Sequence, residues 1–92
     1  MSNEFTMELC GNQNAWRIVP DIEGTFSLTR TGECIEADGF EVEVRNRLCW
    51  TFTGKCDMTL YPSGQLLIKT TDKALAEELA QRHLNTWVQQ DS

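Results

Sequence analysis

The chain has 92 residues, of which 40% are hydrophobic and 24% charged, so it forms one small globular domain over residues 1–92. Its 14 acidic and 8 basic residues give a net charge of −6, which disfavours binding to phosphate backbones and to anionic membranes. No apolar run reaches the ~18 residues that span a bilayer, and the N-terminus lacks the basic start and apolar stretch of a signal peptide. We therefore expect a soluble, cytoplasmic protein.

The first predicted element is a strand over residues 4–10, where apolar and polar residues alternate. Residues 11–23 follow, and their composition fits either a short helix or a loop that caps the core. This segment contains Trp16, which we interpret as a core cap or as an anchor for a partner, since tryptophan is favoured at interfaces.

Two further strands are predicted before residue 40. Residues 24–30 alternate in polarity, with Phe26 and Leu28 on one face, and predict a strand. After a turn at residues 31–32, residues 33–37 predict a second strand. Asp38 and Gly39 then form a strong turn signal.

The middle of the chain predicts a pair of antiparallel strands joined by a turn at residues 45–47. Residues 40–44 alternate in polarity, and residues 48–52 place Leu48, Trp50 and Phe52 on one face. A three-residue loop at 54–56 then brings Phe52 beside Met58 and keeps the apolar side chains on that face.

Residues 57–69 predict a hairpin with a defined register. The segment Tyr61-Pro-Ser-Gly-Gln65 has proline and glycine where a tight turn needs them. Closing this turn places Leu60 opposite Leu66 on one face, and Asp57 opposite Lys69 on the other, where the two charges can pair.

A C-terminal helix is predicted over residues 73–88, after the cap residues Thr70, Thr71 and Asp72. Its apolar side chains recur at helical spacing and need a surface to cover. The sequence therefore predicts an α+β fold, in which a single antiparallel sheet of five to six strands carries this amphipathic helix on one face.

The four cysteines are Cys10, Cys34, Cys49 and Cys56, which lie 24, 15 and 7 positions apart. None of these spacings is the C-x2-C pair typical of a zinc knuckle. We interpret them as free thiols that fill the core, and a cysteine-ligated metal (zinc or iron–sulfur) or a redox protein is the alternative. His83, the only histidine, is interpreted as a residue that packs the helix or lies at the rim of its apolar stripe, rather than as a base for a cysteine.

The segment from residue 48 to residue 88 resembles one half of the TATA-box-binding-protein fold. The resemblance lies in an apolar strand, the turn at residues 61–65, a second apolar strand, the cap at residues 70–73 and an alanine-rich helix. In that family two such halves form a saddle whose helix-free face binds the DNA minor groove. This chain holds one half, so the resemblance implies a nucleic-acid binder that acts as a homodimer.

The helix-free face of the sheet is the predicted binding surface. Its predicted members are Glu41, Glu43, Arg45, Thr51, Thr53, Thr59, Tyr61 and Lys69. Acidic side chains on this face oppose phosphates, so we do not expect nucleic-acid binding. Nor do we expect a membrane partner or a cofactor, and no catalytic motif was found.

We expect a non-catalytic binding module that uses this face for a protein partner or a homodimer. The alternatives are the cysteine-based metal or redox protein and the DNA-binding homodimer.

Overall fold

A computed structural model describes residues 5–10, 15–20, 25–88 and 90–91 of the chain. The elements are β1 (Phe5–Cys10), β2 (Ala15–Pro20), β3 (Thr25–Phe26), α1 (Leu28–Ala37), β4 (Glu41–Arg45), β5 (Trp50–Thr53), β6 (Asp57–Leu60), β7 (Leu66–Lys69), α2 (Lys73–Arg82), a π-helical turn (His83–Trp87) and β8 (Gln90–Asp91). Six strands form one antiparallel sheet in the order β1-β2-β7-β6-β5-β4, and β3 pairs with β8 in a separate two-stranded ribbon.

The predicted α+β class is confirmed, with both helices on one face of the six-stranded sheet. Their buried side chains and one face of the central strands form a single core cluster. The cluster comprises Ile18, Ile35, Phe40, Trp50, Phe52, Met58, Leu60, Leu66, Ile68, Ala76, Leu79, Ala80 and Trp87. No helix in the described residues combines the length and apolarity needed to cross a bilayer.

The hairpin of β6 and β7 has the predicted register. Leu60 pairs with Leu66 and Asp57 with Lys69, and the backbone N–H of Tyr61 donates to the carbonyl of Gln65 at 2.9 Å. Gly64 has a φ of 94°, a left-handed conformation that favours glycine. The turn chemistry therefore fixes which side chains of the hairpin face the helices.

The loop between β5 and β6 also follows the prediction, because Phe52 pairs with Met58 and Trp50 with Leu60. The preceding turn is longer than predicted. Leu48, predicted to lie on the core face, is 78% exposed in the turn before β5. The core face of β5 therefore begins at Trp50.

The strands predicted over 24–30 and 33–37 are wrong, as is the turn at 31–32. Of the residues that the structure describes here, Thr25 and Phe26 form a strand and residues 28–37 form α1, whereas residue 24 lies outside the described part. The Cβ that any other residue would carry at position 32 would overlap the Trp50 ring, so Gly32 lets α1 approach the sheet closely. Packing of this kind overrides the weak helical preference of the segment. The turn at residues 38–39 is confirmed, with a φ of 108° at Gly39.

The segment at residues 11–23, expected to be a helix or a loop, contains the strand β2 instead. It lies between β1 and β7, and Ile18 on its core face is fully buried. Residues 11–14 and 21–23 of this segment, like residue 4 of the first predicted strand, lie outside the described residues. Residues 5–10 form β1 as predicted.

The C-terminal helix begins as predicted at Lys73, after Asp72. The Asp72 side chain accepts hydrogen bonds from the backbone N–H groups of Ala74 and Leu75, at 3.0 and 3.2 Å. The helix changes to a wider π-helical turn at His83 and ends at Trp87. Trp50 and Trp87 are both buried, as their positions in the pattern predicted.

Candidate functional site

The sheet face opposite the two helices carries a row of side chains that crosses all six strands. Register pairs align Val44, Thr51, Thr59, Leu67, Arg17 and Glu8 from β4 to β1. Its members on the four strands β4 to β7 are uncharged: Val44, Thr51, Thr59 and Leu67. The side chain of Val44 is 42% exposed. We call the surface built around this row the helix-free face.

Charged residues border the row on the side of the β5–β6 loop. Glu41 pairs with Thr53, and Asp57 pairs with Lys69. All three charged side chains are exposed. On the other side of the row, Tyr61 follows β6 and is 37% exposed. Seven of the eight residues predicted for this face therefore keep positions on it or at its border: Glu41, Glu43, Thr51, Thr53, Thr59, Tyr61 and Lys69.

Arg45, the eighth, was assigned to the wrong face. A bulge in β4 between Val42 and Val44 inserts Glu43 without a partner of its own, so the alternation shifts by one residue. Arg45 consequently pairs with Trp50, and its guanidinium carbon lies 4.5 Å from the centre of the Trp50 ring. It also lies 3.6 Å from a carboxylate oxygen of Glu36 in α1.

A groove opens at the end of the sheet where the turns at residues 46–49 and 61–65 lie together. Pairing of Trp50 with Leu60 brings these two turns side by side. The groove has a volume of about 430 Å³, within the range of small binding sites. We call it the turn-end groove, and it is lined by Leu28, Thr29, Arg45, Asn46, Arg47, Trp50 and Pro62.

The turn at residues 46–49 is closed by its own hydrogen bonds. The Asn46 side-chain oxygen accepts from the N–H groups of Leu48 and Cys49, at 2.7 and 3.0 Å. The backbone N–H of Asn46 donates to the carbonyl of Cys49 at 3.2 Å. This geometry holds Arg47 and Leu48 outward on a short, defined loop.

The neighbouring turn is anchored from the helix side by His83. This residue is fully buried, and its Nε2 lies 2.9 Å from the carbonyl oxygen of Gly64, so Nε2 carries the proton and donates. Burial lowers the pKa of His83 to about 4, although the hydrogen bond to Gly64 acts in the opposite direction. His83 is thus a packing residue, as predicted, that is neutral at physiological pH.

The predicted cysteine residues occupy separate parts of the fold. Cys34 is on α1, whereas Cys49 precedes β5 and Cys56 precedes β6, at opposite ends of the sheet. The side chain of Cys10 lies outside the described part. Burial raises the pKa of the Cys56 thiol, and Asp57 adds to the effect, which disfavours the thiolate that binds metals. Over the described ranges, no three histidine, cysteine or acidic side chains group into a metal site.

The turn-end groove was not predicted from the sequence, because α1 forms one of its walls and was predicted as strands. The available signal was Asn46 in a short polar segment between two strands, which is typical of a side-chain-capped turn. Protein-family models, curated proteins and solved structures give no match to this chain. The resemblance to half of a TATA-box-binding protein stays a prediction.

Proposed function

We propose that this protein is a non-catalytic binding module and that the helix-free face is its binding surface, for a protein partner or a second copy of the chain. The observation that supports the proposal is the uncharged row of Val44, Thr51, Thr59 and Leu67 on four successive strands. On a sheet face that is exposed to solvent, charged residues commonly recur along each strand. On this face the charged residues lie at the border and on β1 and β2.

The side chains of this row suit contact with another protein. Val44 and Thr51 are accessible and β-branched, so they lose little rotamer freedom when a partner covers them, whereas Thr59 is already buried. The charges of Glu41, Asp57 and Lys69 border the row on one side, as part of a polar rim borders the core of an interface.

Site-specific photo-crosslinking tests the proposal. A benzophenone amino acid replaces Leu67 on the helix-free face or, as the control, Gln81 on the exposed side of α2. We expect a discrete crosslinked product in cells from position 67 and not from position 81. A product of twice the chain's mass identifies a second copy, and any other discrete mass identifies a different partner.

Two results contradict the proposal. One is the absence of a product from position 67 under conditions in which the photoreactive group is shown to be intact. The other is the same set of products from both positions, because that pattern reports random encounters rather than a specific face.

A further inference from the structure

Basic residues are concentrated in one segment of an otherwise acidic chain. Residues 44–71 contain four bases (Arg45, Arg47, Lys55 and Lys69) and one acid, Asp57. The rest of the chain therefore holds the other 4 of the 8 bases and the other 13 of the 14 acids. In the fold, Arg45 and Arg47 lie at the end of the sheet that carries the turn at residues 46–49, and Lys55 and Lys69 lie at the other end. The first pair attracts anionic groups over a Debye length of about 10 Å.

The exposed large apolar side chains of the described residues lie in this same segment of the chain. They are Val44, Leu48 and Tyr61, with exposed fractions of 42%, 78% and 37%. Leu48 lies in the turn at residues 46–49 and Tyr61 begins the turn at residues 61–65, which are at the same end of the sheet, whereas Val44 belongs to the row of the helix-free face. Apolar side chains that are scattered over a surface need no explanation, but a group at one end indicates an interaction surface.

The turn-end groove supplies both an apolar wall and cations. Trp50 and Pro62 form part of the wall, and Arg45 stacks on the Trp50 ring. Arg47 lines the groove and forms no ion pair with a described residue. Tryptophan, tyrosine and arginine are the residue types that most often dominate binding energy at interfaces.

Both sides of the groove are held in place before any ligand arrives. The Asn46 hydrogen bonds close one turn, and the His83 hydrogen bond to Gly64 supports the other. Gly32 brings α1 against the Trp50 ring. A surface that is ordered in advance loses less entropy on binding.

We propose that the turn-end groove, with Leu48 and Tyr61 beside it, binds an acidic peptide segment of a partner protein that carries an apolar side chain. The apolar side chain enters the groove against Trp50 and Pro62, and the flanking carboxylates meet Arg45 and Arg47. Arginine can bind a carboxylate through two parallel N–H donors. This site is separate from the central row of the helix-free face and does not depend on it.

The partner chemistry follows from charge complementarity. A short acidic segment can contact Arg45 and Arg47 in the groove without reaching the acidic remainder of the chain, whereas the longer phosphate backbone of a nucleic acid would extend over it. Leu48 and Tyr61 are exposed and are not part of the groove lining, so a small anion would leave them uncovered. A peptide segment covers both the groove and its surroundings.

Selection from a library of short random peptides displayed on phage, with the whole chain as the immobilised target, tests this inference. We expect the enriched peptides to contain acidic residues on both sides of an apolar one. Fluorescence anisotropy of a labelled enriched peptide then measures its affinity for the protein and for variants. We expect Arg47→Glu to weaken binding about tenfold or more and Leu48→Ser to weaken it several-fold.

Lys55→Glu is the matched control, because it makes the same charge change at the opposite end of the sheet and should alter the affinity by no more than about twofold. Arg47, Leu48 and Lys55 are all exposed in turns, so the three variants should fold, and circular dichroism checks this. Three results overturn the inference: no enrichment, enriched peptides that lack acidic residues, or equal losses in Arg47→Glu and Lys55→Glu. Concentration-dependent dimerisation abolished by Arg47→Glu, without peptide enrichment, would assign the groove to a second copy instead.

Discussion

The two helices have the same length and lie on the same face of the sheet, but they are stabilised in different ways. Asp72 caps α2 through two hydrogen bonds, and Ala76, Leu79 and Ala80 form its buried stripe. In α1, Ser27 accepts one cap hydrogen bond of 3.3 Å, and the middle of the helix contains Gly32. Local sequence therefore favours α2, whereas α1 depends on how closely it fits the sheet.

The difference matters for function because α1 forms one wall of the turn-end groove through Leu28 and Thr29. The groove exists only when the helix with the weaker local signals is docked. The helix-free face depends on the strands instead. Perturbing each helix separately therefore tests how far the two candidate surfaces depend on each other.

Lowering the pH should destabilise the protein through His83, the first residue after α2, and this is the largest of the effects that we predict. The pKa of His83 is about 4 in the folded protein, below its usual 6.5, because the folded state favours the neutral ring. As the pH falls from about 6.5 to about 4, the unfolded chain binds the proton first. The free energy of unfolding should fall by up to about 3 kcal/mol over this range.

Urea unfolding at several pH values, compared with His83→Gln, measures this loss. The carboxyl group of Asp38, at the end of α1, titrates at lower pH than His83, because the hydrogen bond from Arg82 holds the pKa of Asp38 below its usual 3.8. Asp38 therefore stays ionised while His83 becomes protonated in the unfolded chain. If the wild type and His83→Gln lose stability in parallel between those pH values, the assignment to His83 is wrong.

Replacing Gly32 should destabilise α1 although alanine is the better helix former. Alanine in place of glycine stabilises an exposed helix position by about 1 kcal/mol. At position 32 the added Cβ would overlap the Trp50 ring, and such overpacking costs about 1–3 kcal/mol. We expect a net loss of about 1 kcal/mol or more in the free energy of unfolding of Gly32→Ala, measured with urea.

Thr29→Ala, at an exposed position of the same helix, is the control and should change stability by less than about 0.5 kcal/mol. A double-mutant cycle with Trp50→Leu adds a second test. The cost of Gly32→Ala should shrink when the large ring is absent. A stabilised Gly32→Ala variant would show that α1 is limited by its local preference rather than by its contact with Trp50.

Removing the N-terminal cap of either helix should give the smallest losses of stability. Which of the two losses is larger tests the comparison of α1 with α2 directly. Asp72→Ala removes two hydrogen bonds from α2 and should cost about 1 kcal/mol. Ser27→Ala removes one longer hydrogen bond from α1 and should cost about 0.5 kcal/mol. Thermal and urea unfolding of both variants ranks them, and a larger loss for Ser27→Ala would reverse the proposed ranking.

The second half of the chain was predictable because its signals are local. The turn at residues 61–65 fixes the hairpin register, and the cap at Asp72 marks the start of α2. The α1 segment was not predictable in this way. Its alternation of Phe26 and Leu28 is typical of a strand, and the helix becomes favourable only once Gly32 meets Trp50, which lies 18 positions further along the chain.

The same distinction between local signals and assembled structure applies to the residues of the two candidate surfaces. Thr51, Thr53 and Thr59 were placed correctly because simple alternation holds along β5 and β6. Arg45 was misplaced because a single inserted residue, Glu43, shifts the pattern, and the residue sequence does not mark where a strand bulges. Residues that line the turn-end groove come from α1 and three strand ends, so only the assembled fold brings them together.

The bulge in β4 also bears on whether this protein can polymerise. β4 is a free edge of the sheet, and an edge with regularly spaced N–H and C=O groups can recruit strands from other molecules until a fibril grows. The inserted Glu43 breaks that regular spacing, and the exposed charges of Glu41, Glu43 and Arg45 would lose their hydration if another strand covered the edge. The bulge therefore protects the edge beside the helix-free face from amyloid-like growth.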